Sequence, residues 1–525
     1  MLAGMLALAL VVLCGRVVWV QAGWGRQLRQ RARRQQRRFI TLPARPGNVL
    51  ARSRGGSVLL AGSRQVPCVY ADPALLGEER FVEASQKVGR ALDLPPAEIY
   101  AKLYARRFTR FVQLARGITA EQVRAIRELG ISAVRVSHEW RREYPFGKLA
   151  AHVVGYRRPD GVGAAGIEAG ADSWLRARPG LKVVLCDASR RGRFARVLKY
   201  RPPADGRHVA LSLDVVIQGF LEQALEQAAR DFDAEAAMGV VMDPHSGDVL
   251  AMASVPTYEP ARYSKAEAAS RRNRAITDPY EPGSAFKPFI AIGAVQMQKA
   301  TLRSTFFCHH GLYRAVRGGT IRDFPGERFG TIPLSEIVIH SSNIGMAKLG
   351  ERLGNANLYR IAWAFGFGTR TGIDLPGEHP GRLVPVRHWT SYATRRVPFG
   401  QGPIMVTVLQ LASAFSAIAN GGVLMRPRLV CRVIDAQGNV VLRRPPRPIR
   451  RVLSPAVCRQ FIDEVLVNVV ERGTGKRCRL ERWQVFGKTG TAQQGGPKGY
   501  KPHQYTATFV AGAPASRPVV VCAVS

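Results

Sequence analysis

Three short polar motifs, Ser284-Ala-Phe-Lys287, Ser341-Ser-Asn343 and Lys488-Thr-Gly490, occur in this order along one chain of 525 residues. Each is weak alone, because a serine three residues before a lysine arises by chance in many chains of this length. In order, and each in a fitting setting, they are far more informative than any one of them. A fold for this chain has to bring three distant segments to one place.

A serine hydroxyl is a poor nucleophile at neutral pH and needs a nearby base. In Tyr280-Glu-Pro-Gly-Ser-Ala-Phe-Lys-Pro-Phe-Ile-Ala-Ile-Gly293 a turn-rich start gives way to an apolar run, which predicts a loop entering a buried helix. Ser284 then lies in the first turn. Lys287 falls on the same face, with its Cβ about 5–6 Å away. The helix N-terminus adds partial positive charge and free N–H groups. A buried lysine beside other cations can be neutral enough to accept a proton. Taken alone, the pair fits an ordinary helix mouth equally well, since serine is favoured there for capping.

Ser341 and Asn343 sit in Ile337-Val-Ile-His-Ser-Ser-Asn-Ile-Gly345, a polar trio between apolar stretches. It predicts a connection between packed helices. Ser341 could relay a proton, and Asn343 offers a donor and an acceptor for a substrate amide. A helix-capping cluster is the simpler reading of this segment alone. His340 reads as a flank rather than a base. Lys488-Thr-Gly-Thr-Ala-Gln493 follows Trp483-Gln-Val-Phe-Gly487, and its β-branched and apolar residues favour a strand. Gly490 lets a substrate backbone approach, while Lys488, Thr489 and Thr491 could hold a carboxylate. The plainer alternative is an exposed edge strand with a solvated lysine.

These motifs and a series of further stretches resemble the class B penicillin-binding proteins, most of all their cell-division branch. The stretches, in order, are Arg107-Phe-Thr-Arg-Phe-Val-Gln-Leu-Ala-Arg116, Arg142-Glu-Tyr-Pro-Phe-Gly147, His152-Val-Val-Gly155, Gly166-Ile-Glu168, Leu211-Ser-Leu-Asp214 with Gln218, and Met242-Asp-Pro-His-Ser-Gly-Asp-Val-Leu-Ala-Met252. Arg272-Asn-Arg274, Gly400-Gln-Gly402 and Ala419-Asn-Gly-Gly422 complete the series. The resemblance implies a D,D-transpeptidase that cross-links peptidoglycan stem peptides and is acylated by β-lactams. It implies Ser284 as nucleophile, Lys287 as its general base and Ser341 as proton shuttle. Asn343 would bind a substrate amide, and Lys488, Thr489, Gly490 and Thr491 would line the subsite for the terminal carboxylate. The N–H groups of Ser284 and Thr491 would form the oxyanion hole, where one donor is worth roughly 10²–10³ in rate. No cofactor and no metal is implied.

Lys and Arg total 77 against 38 Asp and Glu, a formal net charge of +39. Such charge suits nucleic acid, yet it is spread along the chain and no nucleic-acid motif accompanies it. Anionic envelope polymers and lipid headgroups are equal electrostatic partners, and a general arginine bias accounts for most of the excess. The eight cysteines are scattered without a C-x-x-C pair, so a zinc ribbon is not expected. Cys308-His-His310 lacks the second cluster that a metal site needs.

Met1 to Ala22 is the one membrane-length apolar stretch. It runs unbroken to Cys14, meets Gly15 and Arg16, then resumes as Val17-Val-Trp-Val20, close to the about 20 residues that span a bilayer. Arg16 can snorkel, and Trp19 and Trp24 suit a headgroup belt. A signal peptide cleaved near Val20-Gln-Ala22 is the rival reading. The resemblance implies instead an uncleaved, single-pass anchor in the cytoplasmic membrane, with the catalytic domain on the extracytoplasmic side. The basic residues all follow the apolar run, which by itself argues the opposite orientation; a truncated or misassigned start would reconcile the two.

The expected organisation is a transmembrane anchor at 1–22, a juxtamembrane stalk at 23–40, a pedestal or dimerisation domain at 41–207 and a transpeptidase domain at 208–525. The pedestal motif of the family is degraded at Arg45-Pro-Gly-Asn-Val-Leu-Ala-Arg-Ser-Arg-Gly55, with Ala51 at its acidic position. In the last domain a helix over Val215 to Ala229, a hairpin over 239–253, a helical middle and late strands (483–493, 505–512, 518–524) predict an α+β fold. This is an antiparallel β-sheet flanked by helices. The sequence stops after the last apolar strand, where the family has a further helix; an uncovered strand face would expose apolar surface, so either the chain is truncated or another element covers that face. No glycosyltransferase motif precedes 208. A glycan polymerase within a division or elongation complex is the expected partner. Two other readings stay open: a D,D-carboxypeptidase or β-lactamase with water as acceptor, and a non-catalytic envelope scaffold.

Overall fold

In the computed structural model all residues are described except 1, 29, 31–36, 187–193, 316–318 and 497–498. The chain divides into two compact units. One comprises residues 1–47, 63–141 and 176–206, the other 48–62, 142–175 and 207–525. This division is more interleaved than the expected boundary between 207 and 208, because two N-terminal segments lie within the C-terminal unit.

In that C-terminal unit the helix α1 (Val215–Asp231) starts where the Asp214 side chain accepts the N–H groups of Val216 and Ile217, a side-chain cap. A hairpin of β1 (Ala237–Met242) and β2 (Val249–Val255) follows. The helical middle holds α2 (Lys287–Gln296), α3 (Leu334–Ile339), α4 (Asn343–Ala364, broken at Gly354), α5 (Val408–Ala419) and α6 (Val467–Glu471). Strands β3 (Phe486–Gly496), β4 (Gly499–Ala513) and β5 (Val520–Val524) close the chain. The sheet order is β2-β1-β5-β4-β3, antiparallel throughout, with β3 at one edge.

Strand alternation sends side chains to both faces. Val241, Ala251 and Ala253 pack with Leu221 and Leu225 of α1, while Val240, Met242, Met252, Val521 and Ala523 join the main core that contains all of α5. The expected sheet with helices on both faces is therefore present. Val520, Cys522 and Val524 are half-buried against the α1 cluster. Beneath the functional region lie six phenylalanines. Phe289 sits 5.0 Å from Phe365 and 5.2 Å from Phe367, Phe286 lies 5.0 Å from Phe367, and Phe415 stacks on Phe486 at 5.6 Å. Each fully buried ring contributes about 1.5–3 kcal/mol of transfer free energy.

The N-terminal segments of this unit are tied in by pairing and charge. Val49–Ser53 runs parallel to His208–Asp214. Glu168 is fully buried between Arg142 and Arg157, each at 2.5 Å. A Cβ on Gly155 would lie 1.9 Å from the Ala165 carbonyl. Two of the motif stretches quoted above, those of Arg142 and of Glu168, thus meet at one buried ionic cluster with Arg157.

In the other unit the helices Phe81–Leu92, Pro96–Ala105 and Ala120–Glu128 pack with Val112–Arg116 around Phe81, Val88, Ile99 and Leu114. A capping box between Thr119 and Gln122 starts the third helix. Arg37–Leu42, Gly180–Cys186 and Phe194–Arg201 form a three-stranded antiparallel sheet. Leu2–Leu28 is helical and is long and apolar enough to cross a membrane. Of the expected stalk, residues 29 and 31–36 lie outside the described residues.

Candidate active site

The first motif lies where a short 3₁₀ turn, Gly283–Phe286, runs into α2. The turn is held by backbone packing. Gly283 N–H donates to the Gly400 carbonyl at 3.0 Å, and a Cβ on Gly400 would stand 2.2 Å from the Gly283 oxygen. On the other side a Cβ on Gly490 would stand 2.9 Å from Ala285 N. Gly400 and Gly283 both have φ in the left-handed region, at 76° and 55°, where glycine carries no Cβ penalty. Ser284 is half-buried between fully buried neighbours, at the place where β3 passes the turn.

Lys287 is wholly buried. Its Nζ donates to Ser341 Oγ at 3.0 Å, to Asn343 Oδ1 at 2.8 Å and to the Ser341 carbonyl. Lys488, also wholly buried, donates from the opposite side to Ser341 Oγ at 3.0 Å and to the Thr489 carbonyl at 3.0 Å. Burial, then the adjacent Lys488, push the Lys287 ammonium well below the ordinary lysine range, and Asp323 pulls weakly the other way. Burial alone brings Lys488 down to about 7. Low dielectric and a like charge both disfavour the protonated form. Among the described residues Ser284 Oγ makes no hydrogen bond.

The second motif connects α3 to α4, as expected, and it also caps a helix. Ser341 has φ of 65°, a left-handed conformation that costs a non-glycine residue roughly 1–2 kcal/mol. Ser342 is the N-cap of α4 and accepts Gly345 N–H at 3.0 Å. Asn343 Nδ2 donates to the Arg322 carbonyl at 2.9 Å, which leaves one N–H and one oxygen lone pair for a ligand. His340 pairs with Glu336 at 3.1 Å and touches none of the three motifs' polar atoms.

The third motif lies on edge strand β3. Lys488, Gly490 and Ala492 are buried and alternate with the open-side residues Thr489 and Thr491. The structure therefore brings Lys287, Ser341, Asn343 and Lys488 into one hydrogen-bonded group, and sets Ser284 beside the open edge that carries Thr489 and Thr491. Cys308 separates from its histidines. Its thiol is buried near Ser342, while the rings of His309 and His310 lie on Phe307 at 4.6 and 5.5 Å.

Two residues escaped the sequence reading. Thr474 Oγ1 lies 2.6 Å from Thr489 Oγ1. Its loop is fixed by Gly473, whose Cβ would meet the Ile339 carbonyl at 2.5 Å, and by Arg472, which grips Glu336 of α3 at 2.5 and 2.8 Å. The flanking glycines of Gly473-Thr-Gly475 were its only signal. Asp323 is buried behind the second motif, and nothing in its local sequence marks it.

Residues 237–525 match the family model "Penicillin binding protein transpeptidase domain", and residues 41–211 match "Penicillin-binding Protein dimerisation domain". The chain is 30% identical over 524 residues to the peptidoglycan D,D-transpeptidase FtsI of Escherichia coli, covering 99% of this chain and 85% of that one. It is 31% identical over 509 residues to the stage V sporulation protein D of Bacillus subtilis, covering 96% and 78%. Among solved structures, a peptidoglycan synthetase from Bifidobacterium adolescentis superposes with a TM-score of 0.73 at 25% identity, covering 93% and 91% of the two chains. Penicillin binding protein 3 from Mycobacterium tuberculosis, complexed with aztreonam, gives 0.70 at 26% identity, covering 92% and 90%.

Proposed function

The chain belongs to the penicillin-binding proteins and is a peptidoglycan D,D-transpeptidase, and from that premise we propose how its own residues divide the reaction. The observation that carries the assignment is the Ser341 hydroxyl, shared at 3.0 Å by two buried lysines of opposed duty.

Ser284 Oγ attacks the carbonyl carbon of the penultimate D-alanine of a stem peptide. Its proton passes to the Lys287 amine, which burial and a neighbouring cation keep basic yet unprotonated. The N–H groups of Ser284 and Thr491 receive the developing oxyanion, in keeping with the close passage of β3 over the turn. The proton then moves through Ser341 to the departing amine, and terminal D-alanine leaves. Lys488 in its ammonium form, with Thr489 and Thr491, holds the substrate carboxylate beside Gly490. Asn343 orients the donor amide. The amine of a second stem peptide attacks the acyl carbon and gives a proton to Lys287; the bond to Ser284 Oγ breaks, Lys287 returns the proton to Ser284 Oγ, and the cross-link is complete. A β-lactam enters by the same first step and stays on Ser284.

We propose further that residues 41–207 serve as the pedestal and 208–525 as the transpeptidase domain, that residues 1–22 anchor the chain in the cytoplasmic membrane, and that catalysis occurs outside it. The apolar N-terminal helix supports the anchor. Likeness to FtsI supports a septal role, and a glycan polymerase is the partner we propose for it.

The test is fluorescent penicillin labelling of wild type and Ser284→Ala, with mass spectrometry of the adduct, followed by a donor–acceptor assay. A Ser284 adduct in wild type alone, with cross-linked product, is expected. Retained labelling in Ser284→Ala would sink the nucleophile assignment, and hydrolysis without cross-linking would make water the acceptor.

A further inference from the structure

The group behind the second motif is a single buried carboxylate. Asp323 is 8% exposed and follows the strand Thr320–Arg322. Its Oδ1 accepts the backbone N–H groups of Asn343 at 2.6 Å and Ile344 at 3.0 Å. The Ser342 hydroxyl donates to the same carboxylate, 3.0 Å from one oxygen and 3.1 Å from the other. Every residue of the turn after Ser341 is thus tied to Asp323, and the preceding carbonyl, that of Arg322, holds the Asn343 side chain. The carboxylate also occupies the N-terminus of α4, where the first N–H groups lack intrahelical partners and negative charge is favoured.

We propose that Asp323 is a positioning residue of the acyl-transfer site: its carboxylate helps hold the Ser341–Asn343 turn in its left-handed form against Lys287 and serves as countercharge to that lysine. The assignment rests on the reading of Ser284 and Lys287 given above. Its geometric half follows from the four contacts. Asp323 is the acceptor among the described residues for both Asn343 N–H and Ile344 N–H, and it acts beside the Ser342 N–H bond to the Ile337 carbonyl at 2.9 Å and the Ser342 cap of α4 in setting the register that points Ser341 Oγ between two amines. Its electrostatic half follows from what surrounds Lys287. Lys488 faces it from β3 with the same charge, Ser341 and Asn343 face it uncharged, and Asp323 is the carboxylate that acts on it. On the far side of Asp323 sits the Cys308 thiol, pushed up by burial and so neutral. Glu336 of α3 is engaged with His340, just past that helix, and with Arg472.

Removing the charge while keeping the shape separates the two halves. Asp323→Asn retains an oxygen for the two N–H groups. The second-order rate of acylation by penicillin, followed from pH 5 to 10, reads the result. In Asp323→Asn the plateau is expected to fall on the order of tenfold or more, and the acid limb is expected to move about half a pH unit or more to lower pH, because Lys287 has lost a stabilising negative charge. Asp323→Glu keeps the charge, so its limb stays at the wild-type position while its plateau falls. An acid limb unmoved in Asp323→Asn, whatever its plateau, overturns the proposal. So does loss of fold in both Asp323→Asn and Asp323→Ser with retention in Asp323→Glu, which would make the carboxylate purely structural. Should wild type itself form no Ser284 adduct, the underlying reading falls; an unmoved limb with the adduct still on Ser284 removes the Asp323 assignment alone.

Discussion

Lys287 and Lys488 meet on one hydroxyl: each Nζ lies 3.0 Å from Ser341 Oγ, one reaching from the nucleophile's helix and the other from the edge strand. Two ammonium groups around one buried oxygen repel, so protons leave this pair readily. Lys287 carries both burial and the neighbouring cation, whereas Lys488 is lowered by burial alone. Lys287 is therefore the amine that empties first. The pair titrates as a unit, and its singly protonated form is the one suited to catalysis.

A basic limb follows from this. The Lys488 ammonium that would hold a carboxylate is lost in the free enzyme as pH rises through about 7. The second-order acylation rate with a carboxylate-bearing β-lactam is expected to decline above that pH. A carboxylate-free thioester should show no such decline. Lys488→Ala should lower acylation by the former by about tenfold or more and erase the limb; stopped-flow acylation across pH checks both.

The same burial has a stability cost with a defined sign. Below about pH 7 Lys488 is charged both folded and unfolded, and the folded chain bears the full desolvation cost. Between about 7 and 10.5 the folded form is neutral while the unfolded form stays charged, so stability rises with pH across that window. Lys488→Met should therefore melt above wild type by roughly 2 °C or more at pH 6, with the gap closing towards pH 10. Calorimetry at the two pH values reads it, and a gap that widens with pH would refute it.

Thr474 touches Thr489 through its hydroxyl at 2.6 Å and stands exposed at the mouth of the site. Thr474→Val keeps shape and removes the hydrogen bond, a loss of about 0.5–1.5 kcal/mol. Weaker initial binding of carboxylate-bearing β-lactams by a few-fold, with little change in the acylation step, is the expected outcome. Thr474→Ser should restore it.

Glu168 is buried with Arg142 and Arg157. Removing one member of a buried ion cluster strands the others, at about 3–5 kcal/mol. Glu168→Ala should lower the melting temperature by that amount of stability. Ser284 labelling at low temperature, where the fold persists, should stay near the wild-type rate.

Gly400→Ala forces a Cβ to 2.2 Å from the Gly283 oxygen at a φ of 76°. Something must shift, and the turn bearing Ser284 is what lies against it. Acylation is expected to fall by about a hundredfold, since a displacement of 1 Å at a reacting group costs on that order. Penicillin labelling kinetics with a matched thermal melt separate this from global unfolding.

The chemistry of this chain was more legible than its wiring. The spacing of Ser284 and Lys287, the connection at Ser341 and the edge strand at Lys488 were readable because each depends on residues within one turn or strand. The helix read as Val215 to Ala229 ends two residues later, at Asp231; the first and third of the last strands fall within three residues of their expected bounds, and the second begins six residues early, at Gly499. The interleaving of units was not readable. Val49 pairs with Val209, and Glu168 with Arg142 and Arg157, through contacts that no local pattern announces, although Arg142 and Glu168 stood in recognisable stretches. Asp323 was missed for the same reason, since its partners are backbone N–H groups that any residue supplies.

Gly283, Gly400 and Gly490 place three stretches of main chain in direct contact around the nucleophile. A methyl at any of them collides with backbone, not with a side chain that can rotate away. Natural variation that dulls the response to antibiotics while sparing cross-linking is consequently shut out of this joint. Selection for resistance has to act on the rim, at residues such as Thr474 whose side chains can change without moving Ser284.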